Sequence, residues 1–132
     1  MKKQGSCGCG AVQYSFEANK PRIINCHCSM CRAFNGAAFS TYVIIPADSF
    51  SFRDEAAHLA SYCKENATKF FCRECGSPVF NSHAKYQTIR LIHFGSIHDS
   101  SDIQPKLNVW CENHLQWSMR LDQLKNFEHG MA

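Results

Sequence analysis

The sequence predicts a mainly antiparallel β domain with little helix. Three observations carry that prediction. Short runs of β-branched and aromatic residues recur along the chain, bounded by turn-forming residues. No internal repeat or low-complexity linker separates them. The nine cysteines fall mostly into close-set clusters, which lets a small β domain be pinned by cross-links where its core is modest.

The strands follow in order. Ala11–Glu17 alternates, with Val12, Tyr14 and Phe16 on one face and Gln13 and Ser15 on the other. Phe39–Ile45 is β-branched and aromatic, and Pro46 stops it. Ser49–Arg53, Leu59–Cys63, Thr68–Cys72 and Thr88–Phe94 are further strands, and Leu107–Trp110 is a last one. Helical turns are expected over Ser29–Phe34 and near Leu121–Leu124.

The 132 residues fit one domain, 1–132. With 45% hydrophobic and 19% charged residues the chain reads as globular and not disordered. The formal charge of +3 comes without a block of Lys or Arg, so nucleic acid is not an expected partner. The two lysines of "MKKQGSCGCG" are followed by no apolar run, and "AAFSTYVIIPA" is too short and polar to span a bilayer. The expectation is a cytoplasmic protein with no membrane partner. Oligomeric state is not legible.

Reduced cytosolic thiols in such density point to metal in place of disulfides, and an odd number leaves one cysteine over in any full pairing. Cys7 and Cys9 form "CGC", Cys72 and Cys75 form "CREC", and Cys26, Cys28 and Cys31 form "CHCSMC". A C-x-x-C turn brings two thiolates to one ion. A C-x-C pair does the same in extended chain, where residues i and i+2 face one way. Cys7, Cys9, Cys72 and Cys75 therefore make a complete tetrahedral sulfur set that suits zinc. A redox dithiol at "CREC" is disfavoured, because no βαβ pattern surrounds it.

Cys26, Cys28 and Cys31 are then three ligands for a second zinc with an open position, the arrangement of a catalytic ion. The alternative is a closed structural site completed by Cys63, Cys111, His83, His93, His98 or His114. His27, between two ligands, should point away. Three thiolates make zinc a weak Lewis acid, which favours holding a sulfur over activating water. Arg32 follows the last ligand and could pair with a substrate carboxylate, although a solvated surface position or a structural salt bridge is the commoner role of an arginine; Phe34 and Phe39 are expected to pack in the core. No Glu or Asp falls beside the cluster, the nearest being Asp48 and Glu17 at predicted strand ends.

"GSCGCGAVQYSF" (Gly5–Phe16), "CHCSMCRAFNGAAF" (Cys26–Phe39), "VIIPADSF" (Val43–Phe50) and "FFCRECGSPVF" (Phe70–Phe80) together resemble the glutathione-dependent formaldehyde-activating enzyme family, which includes centromere-protein-V-like members. "NVW" (Asn108–Trp110), Trp117 and "LDQLKNFEHG" (Leu121–Gly130) resemble the family's tail, although the family usually has histidine where Asn108 falls and proline where Lys125 falls. The resemblance implies a compact zinc-stapled fold of folded-over antiparallel sheets, β-tent-like. It implies a structural zinc on Cys7, Cys9, Cys72 and Cys75 and a catalytic zinc on Cys26, Cys28 and Cys31, so two zinc ions per chain. It further implies a carbon–sulfur lyase that condenses glutathione with formaldehyde to S-(hydroxymethyl)glutathione. The expected partner is a small thiol or thiol adduct such as glutathione. The competing expectation is a non-catalytic, zinc-stabilised binding module.

Overall fold

The structure is a computed structural model and describes residues 1–131. It contains ten strands and a single α-helix among the described residues, joined by turns that include short 3-10 segments. The smaller sheet holds β1 (Lys2–Ser6), β2 (Gln13–Glu17) and β5 (Phe50–Arg53), in the order β1-β2-β5, all antiparallel. The larger sheet holds β3 (Arg22–Cys26), β4 (Ser40–Pro46), β6 (Leu59–Lys64), β7 (Ala67–Cys72), β8 (Pro78–His83), β9 (Ile89–His93) and β10 (Leu107–Val109). Its order is β10-β3-β4-β9-β8-β7-β6.

One pairing departs from the antiparallel expectation. β10 lies parallel to β3, with Asn108 opposite Asn25 and Val109 opposite Cys26. A parallel partner must return by a long connection rather than a hairpin, so no local turn signal announces it. The backbone N–H of His27 continues that pairing by donating to the Val109 carbonyl at 3.0 Å.

The expected alternation in β2 holds: Tyr14 and Phe16 are buried while Gln13, Ser15 and Glu17 are exposed. Their rings enter a core shared by both sheets, with Val43 and Ile45 from β4, Val79 and Phe80 from β8, and Ile92 from β9. Phe80 is the hinge of this packing. It stacks on Phe70 at 4.4 Å and meets Phe50 of the smaller sheet at 4.7 Å between ring centroids.

β4 is buried on both faces. Val43 and Ile45 face the shared core, whereas Tyr42 and Ile44 face a second apolar cluster with Ile24, Cys26, Leu91 and Val109. The period of two along the strand is what splits the residues this way. The second cluster is the floor of the three-cysteine region.

The helix α1 (Ser29–Asn35) covers the predicted turn and runs one residue further. Its residues lack β-branching, and it stops at Gly36, which adopts φ 57° and ψ 40°. The second expected turn is a single 3-10 segment, Leu121–Gln123. No helix among the described residues is long and apolar enough to cross a membrane.

Candidate metal centres and the adjoining cavity

All nine cysteines are free thiols. Seven of them form two groups whose sulfurs lie within 4.8 Å of one another: Cys7, Cys9, Cys72 and Cys75, and Cys26, Cys28 and Cys31. A tetrahedral ion with metal–sulfur bonds of about 2.3 Å has sulfur–sulfur edges of about 3.8 Å. The measured separations are 3.6 Å for Cys7–Cys9, 3.8 Å for Cys9–Cys72 and 3.5 Å for Cys26–Cys28. Both groups therefore fit a bound metal ion.

The four-cysteine group is assembled from two turns. Cys7 follows β1 and Cys72 ends β7, both buried, while Cys9 and Cys75 are exposed. Ser77 joins the turns: its Oγ accepts from the Gly8 N–H at 2.9 Å and lies 3.3 Å from Cys75 Sγ. A Cβ on Gly8 would come within 2.9 Å of that oxygen, so Ser77 would have to turn and weaken these contacts. Hydrogen bonding from the Ser77 side chain and backbone holds the Cys75 thiol down to about 5.

The three-cysteine group sits at the join of β3 and α1. Cys26 is the last residue of β3 and Cys28 is the N-cap of α1. The Cys28 sulfur accepts from the Cys31 N–H at 3.3 Å, so one atom caps the helix and faces the other two thiols. Hydrogen bonding from Cys31 pulls the Cys26 thiol down to about 6 against the effect of burial. The same contact, with burial, raises Cys31.

No other Cys, His, Asp or Glu among the described residues joins this trio. Each residue that could have closed the site lies outside it: Cys63, Cys111, His83, His93, His98 and His114. His27 does point away. It is buried, tilts against Phe39 at 5.1 Å between centroids, and lies with Nε2 3.0 Å from Asn108 Oδ1. Asn108 thus contacts His27 instead of the thiols.

A cavity of about 480 Å³ opens on Cys26, Cys28 and Cys31, a size that suits a small ligand. Arg32 does not line the cavity, and its Nε is buried with no partner among the described residues, so a contact to a substrate carboxylate gains no support. One expectation needs correction here. An acidic residue does reach it: Glu65, at the β6–β7 turn, lines the same cavity. Asp48 and Glu17 do not. Phe34 and Phe39 are half-buried and line other clefts.

Behind the trio runs a buried polar chain that no local sequence pattern announces. The Tyr42 hydroxyl donates to Cys31 Sγ at 3.3 Å. Asn81 Nδ2 donates to Tyr42 Oη at 3.3 Å, and Asn81 Oδ1 lies 2.8 Å from His93 Nε2. Burial pushes Tyr42 well above the ordinary phenol value, so it remains a donor. Burial, with the charge of Lys69 adding to it, pushes His93 down to about 3, so its ring is neutral and Nε2–H donates to Asn81.

The chain matches the family described as glutathione-dependent formaldehyde-activating enzyme over residues 2–113. It is 28% identical over 128 residues to a putative glutathione-dependent formaldehyde-activating enzyme of Halomonas elongata, covering 89% of this chain and 80% of that one. It is 26% identical over 77 residues to an uncharacterized lyase of Schizosaccharomyces pombe, covering 58% of this chain and only 55% of that one. A crystal structure of a Rhodobacter sphaeroides protein superposes with a TM-score of 0.61 at 21% identity, over 80% of this chain and 97% of the other, and so shares the fold. From the match over residues 2–113, the chain belongs to the glutathione-dependent formaldehyde-activating enzyme family.

Proposed function

We propose that this chain is a zinc enzyme acting at the carbon–sulfur bond of a small thiol adduct, with S-(hydroxymethyl)glutathione, formed from glutathione and formaldehyde, as the leading candidate. One observation carries the reading: three clustered thiols with no fourth protein ligand among the described residues open on a ligand-sized cavity. The family and the names of the two relatives support the same chemistry.

In this reading Cys7, Cys9, Cys72 and Cys75 hold a structural zinc, and Cys26, Cys28 and Cys31 hold the catalytic one. Zinc held by Cys26, Cys28 and Cys31 would supply a Lewis-acidic centre that favours the thiolate form of a substrate sulfur. The chain's own residues do the rest. Cys28 and Cys31 are fixed by the first turn of α1, and Tyr42 steadies Cys31 by donating to its sulfur. Ile24, Leu91 and Val109 give the cavity an apolar floor. The net reaction joins sulfur to the aldehyde carbon and moves the thiol proton to the aldehyde oxygen. Cleavage is the same reaction reversed.

The test is metal content per chain on protein purified under reducing conditions, repeated with a mild chelator with and without glutathione. Two zinc ions, one released readily and protected by glutathione, are expected. A single ion, or two that resist chelator and ignore glutathione, would overturn the enzyme reading in favour of a zinc-stabilised binding module.

A further inference from the structure

The cavity has an unusual charge pattern. No Lys or Arg lines it, and Glu65 is the one acidic residue that does. Glu65 forms no ion pair among the described residues, whose bridges are Lys3–Asp102 and His58–Glu74. Its backbone is left-handed, at φ 56°. A two-residue hairpin turn favours Gly, Asn or Asp in that conformation, and a longer side chain there lowers stability. The turn thus sets Glu65, an exposed acidic residue without an ion pair among the described residues, in a strained backbone at the rim of the three-cysteine cavity. Trp110, 60% exposed and also left-handed at φ 58°, adds an aromatic face to the same wall.

Three thiolates around a divalent ion leave a net negative charge, and Glu65 adds another. Such a cavity repels a substrate carboxylate and attracts a cation, which Trp110 would also favour. We propose that Glu65 binds the ammonium group of the thiol substrate, so that the cavity selects thiols bearing a free amino group and leaves their carboxylates toward solvent. This rests on the thiol-binding reading above and names the end of the substrate that is recognised.

The test uses the metal-loaded full chain and isothermal titration with glutathione and N-acetyl-glutathione, in which the ammonium is replaced by a neutral amide, with the Glu65 variants controlling for the change in net charge and size. The wild type is expected to bind glutathione about tenfold more tightly, the size of one charge-assisted hydrogen bond. Glu65→Gln is expected to level the two. Glu65→Asn should also level them while raising the melting temperature, a combination that a purely structural Glu65 would not give. Equal binding of both thiols by the wild type, or a preference that survives in both variants, would overturn the role of Glu65 while leaving thiol binding intact. Binding of neither thiol would overturn the thiol reading, and the Glu65 proposal with it.

Discussion

The Tyr42 hydroxyl donates to the sulfur of Cys31 at 3.3 Å, from a side chain with no solvent exposure. A thiolate that accepts a buried hydrogen bond is held in place and stabilised as the anion. Groups that orient metal ligands in this way commonly set affinity by 10- to 100-fold. Tyr42→Phe should therefore release the metal of the three-cysteine site at about tenfold lower chelator and leave the four-cysteine site filled. It should also cost about 1–3 kcal/mol, since the Asn81 and Asn35 amides lose their shared acceptor. Metal retention and a urea melt read the two effects separately.

His93 makes the folded chain acid-sensitive. Its folded value is about 3, set first by burial, against an ordinary value of about 6.5. Between these limits the unfolded chain binds a proton that the folded chain refuses, so this contribution is intact above about pH 6.5 and is lost as pH falls toward 3. The slope from this group alone is about 1.4 kcal/mol per pH unit. His93→Gln keeps a donor for Asn81 and cannot titrate. Urea unfolding of the two proteins from pH 7 to pH 4 should show the wild type losing stability faster, by about one proton's worth of slope.

The parts of this molecule that local spacing determines were legible in its sequence, and the parts that distant strands supply were not. Spacing within each cysteine cluster is local, so the two pairs and the trio could be read directly, the two pairs being joined only by counting to four ligands; β2, whose alternation is plain, could be read as well. β1 could not: "KKQGS" lacks strand formers, and its inward residue Lys3 is satisfied by the Asp99 carbonyl and the Asp102 carboxylate, almost a hundred residues away. β8 starts with Pro78 and carries Asn81 inward, which reads as the tail of a metal turn until β7 and β9 flank it. β3 was hidden because "RIINC" runs straight into the cysteine cluster. Tyr42, Asn81, His93 and Glu65 reach the three-cysteine region from β4, β8, β9 and the β6–β7 turn, and no one-dimensional pattern connects them.

Phe80 ties the two sheets together through Phe50 and Phe70, while its neighbour Asn81 faces the other way into the polar chain. Phe80→Ala should cost about 3–5 kcal/mol, the range for a buried aromatic truncation. Loss of the β8 anchor should also loosen Asn81. The variant is expected to melt earlier and to hold the metal of the three-cysteine site less tightly, in proportion to its unfolding under the same conditions.

The two cysteine groups should differ in what their loss does. Cys75→Ser removes a ligand from a four-sulfur set that joins the end of β1 to the end of β7, and binding energy at such a closed site is folding energy. That variant should lose one metal ion together with cooperative unfolding. Gly8→Ala should act in the same direction more weakly, because its methyl group would press on Ser77 Oγ at 2.9 Å. Cys28→Ser should behave differently. Serine is itself a favoured N-cap, so α1 keeps its first turn while the second metal and the activity are lost. Circular dichroism melts beside metal analysis separate the cases, and equal loss of structure from Cys28→Ser and Cys75→Ser would mean that the three-cysteine group is scaffold as well.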